Sequence, residues 1–274
     1  MDLGLKNAAV LVTGGNRGIG RAIALAFARE GARVAICGRD PASLEQTRAD
    51  IRALGAECVA LQADLGDAGN CIGVVQRTVE AFGALNVLVN NASMSADKVP
   101  ARFEDMTDEQ AMMRINGKLL VAMRCSRASI APMRLAGHGR IIHIGGTAAR
   151  DVSRAKETPG NGSGLPQGLG NASVAAFSKY LAEELIGDKI LVNVVHPHIV
   201  RTDRHAGRVA ARARELGVSE AEADKAIGAQ LPLGRVIEVD EVASVVVFLA
   251  SRAASAITGQ AIAVDGGVSR GIVY

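Results

Sequence analysis

The chain has no tryptophan, and its 274 residues include only two tyrosines and five phenylalanines. Flat side chains that could stack on bases are therefore scarce, and 31 basic and 28 acidic residues are scattered rather than massed in blocks. Nucleic acid is excluded as an expected partner. No apolar run reaches the roughly 20 residues needed to cross a bilayer. The opening Met1-Asp2-Leu3-Gly4-Leu5-Lys6 has neither the charged start nor the apolar centre of a secretory signal. The expectation is a cytoplasmic enzyme with no membrane partner. Cys37, Cys58, Cys71 and Cys125 are irregularly spaced in apolar segments, which predicts buried free thiols rather than bridges or metal ligands. His196 and His198 lack a third ligand at suitable spacing, so no metal is expected.

What the chain does have is glycine in an informative place. Residues 8–20 read as an apolar strand, Ala8 to Thr13, running into a turn with Gly14, Gly18 and Gly20 and then into an alanine-rich helix from Arg21 to Glu30. Glycines let the backbone turn tightly and come close to a pyrophosphate, and the first turn of the helix offers unpaired N–H groups and its positive dipole end. With a second strand at Arg33–Cys37 this completes a β-α-β unit, the usual seat of a dinucleotide. Gly14, Asn16, Arg17, Gly18, Ile19 and Gly20 are the predicted lining of that seat.

Further strand-like runs follow at Cys58–Gln62, Leu85–Asn90, Arg140–Ile144, Ile190–Val195 and Ala261–Val264, separated by helical patterns. This alternation predicts an α/β protein with a Rossmann-type, doubly wound, seven-stranded parallel sheet and helices on both faces. No linker or repeat divides it, so residues 1–274 read as a single dinucleotide-binding domain. A Gly/Pro-rich stretch at 151–170 reads as a long loop, and 201–230 as charged helices. Both follow the carboxyl ends of strands, where such sheets bind ligands, so they are expected to wall the pocket of a small-molecule substrate.

The second strand ends at Gly38-Arg39, where a carboxylate would otherwise hold the ribose hydroxyls of NAD. Arg39, helped by Arg17, suits a 2′-phosphate and points to NADP. The alternative is that Asp40 takes the ribose. Asp64 and Leu65, after the third strand, are expected beside the adenine.

Several ordered motifs resemble those of the short-chain dehydrogenase/reductase family over essentially the whole length. Thr13-Gly14 to Gly20 is similar to its cofactor loop and Asn90-Asn91-Ala92 to its strand-four motif, with Ser93 in place of a glycine. Asn116 is similar to its helix asparagine and Ser178-Lys179 to the end of its Tyr-x-x-Ser-Lys signature. Val192-Asn193 and Pro197 with Thr202 resemble the segment after strand six, and Asp265-Gly266-Gly267 the C-terminal signature. The resemblance implies that Asn90, Ala92, Lys179, Pro197, Val200 and Thr202 contact the cofactor. It also implies a homo-oligomer, a tetramer or dimer built on the helices near Met112 and Lys179.

In this family a serine after strand five and a tyrosine four residues before the lysine polarise the substrate carbonyl. Here the motifs put Gly146 and Ala175 at those positions. The chain's tyrosines do not repair the loss: Tyr180 points about 100° away from Lys179 on a helix, and Tyr274 is at the chain end. Asn116 and Lys179 remain as candidate catalytic residues. Asn171 shares a helix face with Ala175 and Lys179 and could bond a carbonyl. Thr147 could supply a hydroxyl, and His198 a proton near neutral pH. His143, inside strand five, reads as a core histidine. Two functions remain open. One is an NADP(H)-dependent oxidoreductase with an atypical site, acting on an unusual carbonyl, enone or imine. The other is a catalytically degenerate cofactor-binding subunit of a hetero-oligomer, or a non-redox, isomerase-like enzyme.

Overall fold

The computed structural model describes residues 2–93, 102–152 and 164–271. Seven strands form one sheet: β1 (Ala9–Thr13), β2 (Arg33–Gly38), β3 (Cys58–Gln62), β4 (Val87–Asn90), β5 (Gly139–Ile144), β6 (Ile190–Pro197) and β7 (Ala261–Val264). Their order is β3-β2-β1-β4-β5-β6-β7, and every neighbouring pair is parallel. The order reverses between β1 and β4, which opens a crevice at the carboxyl ends of the strands.

The strands are almost continuously apolar because helices cover both faces. Val10, Val12, Val34 and Ile142 meet α1 (Gly18–Arg29) and α9 (Val239–Ala250) through Ile23, Phe27 and Val246. Leu11, Leu88, Ile141 and Val192 meet α3 (Ala68–Phe82), α5 (Val121–Leu135) and α6 (Leu165–Leu185) through Val74, Val121 and Leu185. On the β2 side, α2 (Pro41–Ala53) starts at Pro41, whose fixed φ suits a first helical turn. Between α4 (Asp108–Ile115) and α5 the chain makes no turn: Asn116–Leu120 continues the helix with a π-helical widening. Such widenings occur frequently at functional sites.

The loop expected at 151–170 is shorter than its glycines and prolines imply. Leu165–Gly170 is the first part of α6, entered with Pro166 in its opening turn, where a missing N–H costs nothing. Gly170 is buried, and Gly168 lies against the carbonyl of Ala148. Most of the remaining loop, 153–163, lies outside the described residues, as does Tyr274. The stretch 201–230 forms α7 (Asp203–Leu216) and α8 (Glu220–Ala229), which share a small core of Val209, Ala213, Ala223 and Ile227. His205 Nε2 meets Asp224 at 2.6 Å, and Arg201 bridges Asp224 and Glu238.

All four cysteines are buried and free. Burial pushes Cys37 and Cys58 up to about 12, so they stay protonated thiols. His143 is fully buried against Phe177 and is pushed down to about 3 by burial, a neutral core histidine as expected.

Candidate active site

The glycine loop is fixed by what surrounds it. Gly14 and Gly18 have φ of +63° and +53°, and a Cβ on Gly20 would lie 2.1 Å from the Gly14 carbonyl oxygen. Asn91 Nδ2 donates to the carbonyls of Thr13 and Gly14 at 3.0 and 3.1 Å. The Thr13 hydroxyl accepts from the amides of Asn91 and Ala92 and donates to the Val89 carbonyl. Loop and β4 end are thereby one rigid piece, held by Asn91, to which the motif reading gave no role of its own. Asn90 faces inward instead: its Nδ2 bonds Ser126 Oγ at 3.1 Å and lies 3.3 Å from His143 Nδ1. Its side chain braces the sheet against α5 and is turned away from the crevice where a cofactor contact was expected.

The first turn of α1 has no side-chain cap and no acidic residue, which leaves its amides for an anion. Arg17 and Arg39 are both exposed, and the Arg39 guanidinium has no hydrogen-bond or ion-pair partner among the described residues. Asp40 is engaged elsewhere. Its carboxylate caps α2, accepting from Ser43 N at 3.0 Å and Ala42 N at 3.4 Å, and the Ser43 bonds hold it below the usual carboxylate range. A ribose contact by Asp40 would have to compete with that cap. Asn16 Nδ2 bonds Ser43 Oγ at 2.7 Å, and the Asn16 side chain fills the space that a Cβ on Gly38 would need. Ile19 packs against the core and Leu65 is buried, while exposed Asp64 accepts from the Gly66 amide at 3.0 Å. Across the crevice the Thr202 methyl stands 3.5 Å from where a Gly18 Cβ would be. Pro197 ends β6 opposite Val264, and Val200 bridges to Ile237. The segment after β6 is thus brought to the glycine loop.

A second cluster lies at the carboxyl ends of β5 and β6. Gly146 N donates to His196 Nδ1 at 3.0 Å, which assigns the ring proton to Nε2. Burial, with the cations of Arg150 and Lys118 nearby, pushes His196 down to about 4 and keeps it neutral. Thr147 Oγ1 and His198 Nδ1 are 2.7 Å apart, so these two candidates do come together. Burial also lowers the pKa of His198, against the opposing pull of Asp265. Lys118, from the π-helical turn, donates to Asn171 Oδ1 at 2.5 Å and to the Gly145 carbonyl at 3.0 Å. Asn171 is buried, and its Nδ2 sits 2.8 Å from where a Gly146 Cβ would be, with no partner among the described residues.

The family model described as enoyl-(acyl carrier protein) reductase matches residues 14–269. The chain is 35% identical to the 3-oxoacyl-[acyl-carrier-protein] reductase FabG of Escherichia coli, over 94% of this chain and 96% of that protein. It is 31% identical to a 3alpha-hydroxysteroid dehydrogenase of Mediterraneibacter gnavus, over 97% and 98%. The chain belongs to the short-chain dehydrogenase/reductase family. Among solved structures, the L-sorbose reductase of Gluconobacter frateurii complexed with NADPH and L-sorbose superposes with a TM-score of 0.89. That match has 27% identity and covers 99% of this chain and 100% of the other.

Within this short-chain dehydrogenase/reductase the geometry corrects two of the expected site positions, Lys179 and Ala175. Lys179 is exposed, and its Nζ lies 3.1 Å from where a Gly259 Cβ would be. Gly259 precedes β7 and its amide bonds the Val192 carbonyl near the start of β6. Lys179 is therefore at the amino end of the sheet, away from the glycine loop, and does not reach the cofactor crevice. Eight residues of helix, about 12 Å of rise, separate it from Asn171, and Asn171 is the residue of α6 that faces Gly146. The position four residues before Asn171 is Gln167, exposed in the first turn of α6, so Gln167 rather than Ala175 stands where the family pattern puts its phenol. Asn116 is exposed at the start of the π-helical turn, and Lys118 is the residue of that turn that reaches β5. A lone charge in the otherwise uncharged run Ile115 to Val121 was the available sequence signal for it. No tyrosine stands at this end among the described residues; Tyr180 is 80% exposed beside Lys179.

Proposed function

We propose that this short-chain dehydrogenase/reductase is an NADP(H)-dependent oxidoreductase that reduces an unusual carbonyl, enone or imine of a small molecule with a rebuilt proton-transfer site. The observation that carries the reading is the pairing of an uncapped, glycine-lined start of α1 with an uncommitted Arg39, while Asp40 is tied to its own helix. The donor set fits the cofactor. Backbone amides of the first turn suit a pyrophosphate, and Arg39 with Arg17 suits a 2′-phosphate. The L-sorbose reductase of similar fold, which is complexed with NADPH, is consistent with this. When bound, the cofactor supplies the hydride, and this chain's residues hold it, orient the substrate and provide the proton. Thr202 and Val200 close the crevice from the β6 side, and the helices α7 and α8 wall the substrate. Exposed Met112 and Met113 on α4, with Tyr180 on α6, support assembly as a homo-oligomer.

A second reading, a cofactor-binding subunit without catalysis of its own, is favoured by one observation: no phenol faces Gly146 among the described residues. The two readings part in one experiment. The purified chain with NADPH is offered a panel of ketones, enones and imines while nucleotide binding is followed by calorimetry. Consumption of NADPH with any of them supports the oxidoreductase. Tight NADPH binding with no turnover favours the second reading, and no binding at all removes both.

A further inference from the structure

Helix α7 carries two neighbouring stripes. His205, Val209 and Ala213 recur at every fourth position and are buried. Arg204, Arg208 and Arg212 recur at the same spacing one position earlier, so they run along the edge of that buried face. The buried stripe docks on the wall of the site: Val209 and Ala213 share their core with Ile199, which follows His198, and with Val268, which precedes Ser269. Arg208 is thereby carried toward the half-buried His198, and its charge acts on that imidazole together with those of Asp265 and Asp151.

The arginines of this wall differ in what they hold. Arg201 bridges Asp224 and Glu238, and Arg212 pairs with Glu215. Arg208 is half-buried and has no hydrogen-bond or ion-pair partner among the described residues; the charge that acts on it is exposed Arg204, one turn back. Burial and that second cation both press its pKa down, yet a guanidinium stays charged. The two carboxylates near His198 are committed elsewhere. Asp265 accepts from the amides of Gly267 and Ser269, both at 2.9 Å, and Asp151 accepts from the Ser269 hydroxyl. A partly desolvated cation without a counter-ion is unfavourable, and two arginines at i and i+4 repel each other. An anion entering the site relieves both.

We propose that the substrate carries a carboxylate, which Arg208 receives as a substrate-binding residue while Arg204 adds to the field that draws it in. This rests on the oxidoreductase reading above and names the substrate class of that same site. The planar fork of a guanidinium matches the two oxygens of a carboxylate, and the half-buried position strengthens the pair relative to one in open water. With its carboxylate fixed on α7, the substrate lays its reducible group toward the carboxyl ends of β5 and β6, where Thr147 and His198 meet. A remote anchor of this kind orients the reacting carbon.

The test uses the purified full chain with NADPH and paired substrates: the keto acids acetoacetate, levulinate and benzoylacetate and the enone acid acetylacrylate, each beside its methyl ester. In the pairs that react, the acid should exceed its ester in kcat/KM by at least about tenfold. Arg208→Met should raise the KM of the acid by roughly 10–100-fold, the worth of a charge-assisted hydrogen bond, and leave the ester KM and the NADPH Kd within about twofold. The ester thus separates a lost anion contact from a loosened α7. Arg208→Lys, which keeps the charge without the fork, should recover part of the loss, and Arg204→Met, at an exposed position, should raise the KM of the acid only about 2–5-fold. If no pair reacts, calorimetry of the NADP⁺-loaded protein with valerate and with valeramide decides. Binding of valerate that Arg208→Met abolishes supports the proposal; equal binding of acid and amide, or binding of neither, overturns it. Esters reduced as well as acids, or an Arg208→Met enzyme unchanged toward acids, also overturn it. If Arg208→Met weakens NADPH as much as the acid, the anion at Arg208 is a nucleotide phosphate, and the proposal falls while the oxidoreductase reading stands. Failure of the wild-type chain to bind NADPH brings down that reading and this inference with it.

Discussion

The two sides of the sheet's reversal point have been treated differently. On the β1–β3 side the glycine loop of the proposed nucleotide seat is braced from two directions: Asn91 clamps Thr13 and Gly14, and Asn16 ties the loop to Ser43. On the β5–β6 side the backbone framework is equally intact, but the side chains on it differ. Gly146 is bare, Asn171 fills the space above it, and Lys118 brings a positive charge. Backbone-built binding survives such changes because it depends on chain direction and on the absence of a Cβ, whereas the proton-handling chemistry depends on single side chains.

That contrast can be broken most forcefully at its two centres. Replacing Lys118 with Met removes the bonds that hold Asn171 and the Gly145 carbonyl together and should lower turnover far more than nucleotide affinity, which single-turnover NADPH oxidation and calorimetry read separately. Equal losses in both would mean that the two sides are not independent. On the opposite side, Arg39→Ala should weaken NADPH by roughly 10–100-fold, the worth of a charge-assisted hydrogen bond, and leave NADH nearly unchanged; equal weakening of both would remove the phosphate argument.

A subtler probe is Gly146→Ser. A Cβ there meets the buried Asn171 amide at 2.8 Å, so the single change should cost about 1–3 kcal/mol by overpacking. Combining it with Asn171→Ala should recover most of that loss in urea denaturation. Additive costs would show that the two residues are not coupled. The smallest effect concerns acid stability. His143 and His196 are held below the usual 6.5, at about 3 and about 4, by burial. The unfolded chain therefore takes up protons first, so stability should be complete above pH 6.5 and fall as the pH drops towards 4. The urea midpoint should decline between pH 7 and 5, and His143→Gln should make that decline shallower.

How far the sequence could be read follows the same division. All seven strands and their parallel arrangement were legible, because a buried parallel strand is an apolar run and the β-α-β unit with its glycines is local. The position of Arg39 was legible for the same reason, being one residue past the end of β2. The catalytic end was not. Ser178-Lys179 resembles the close of the family signature, yet it lies two turns further along α6 than the residue that meets β5, and only the placement of that helix reveals it. The loop boundary at Leu165 was hidden because Gly168 and Gly170 pack closely in a helix rather than breaking it. Lys118 was hidden because a π-helical widening, invisible in periodicity, sets the direction of its side chain.

The central claim is that a phosphorylated nicotinamide nucleotide is still held while proton delivery has been rebuilt. Calorimetric titration of the purified chain with NADPH and with NADH tests its first half directly. The account predicts saturable binding of both, with NADPH tighter by at least about tenfold; absence of binding, or a preference for NADH, would contradict it.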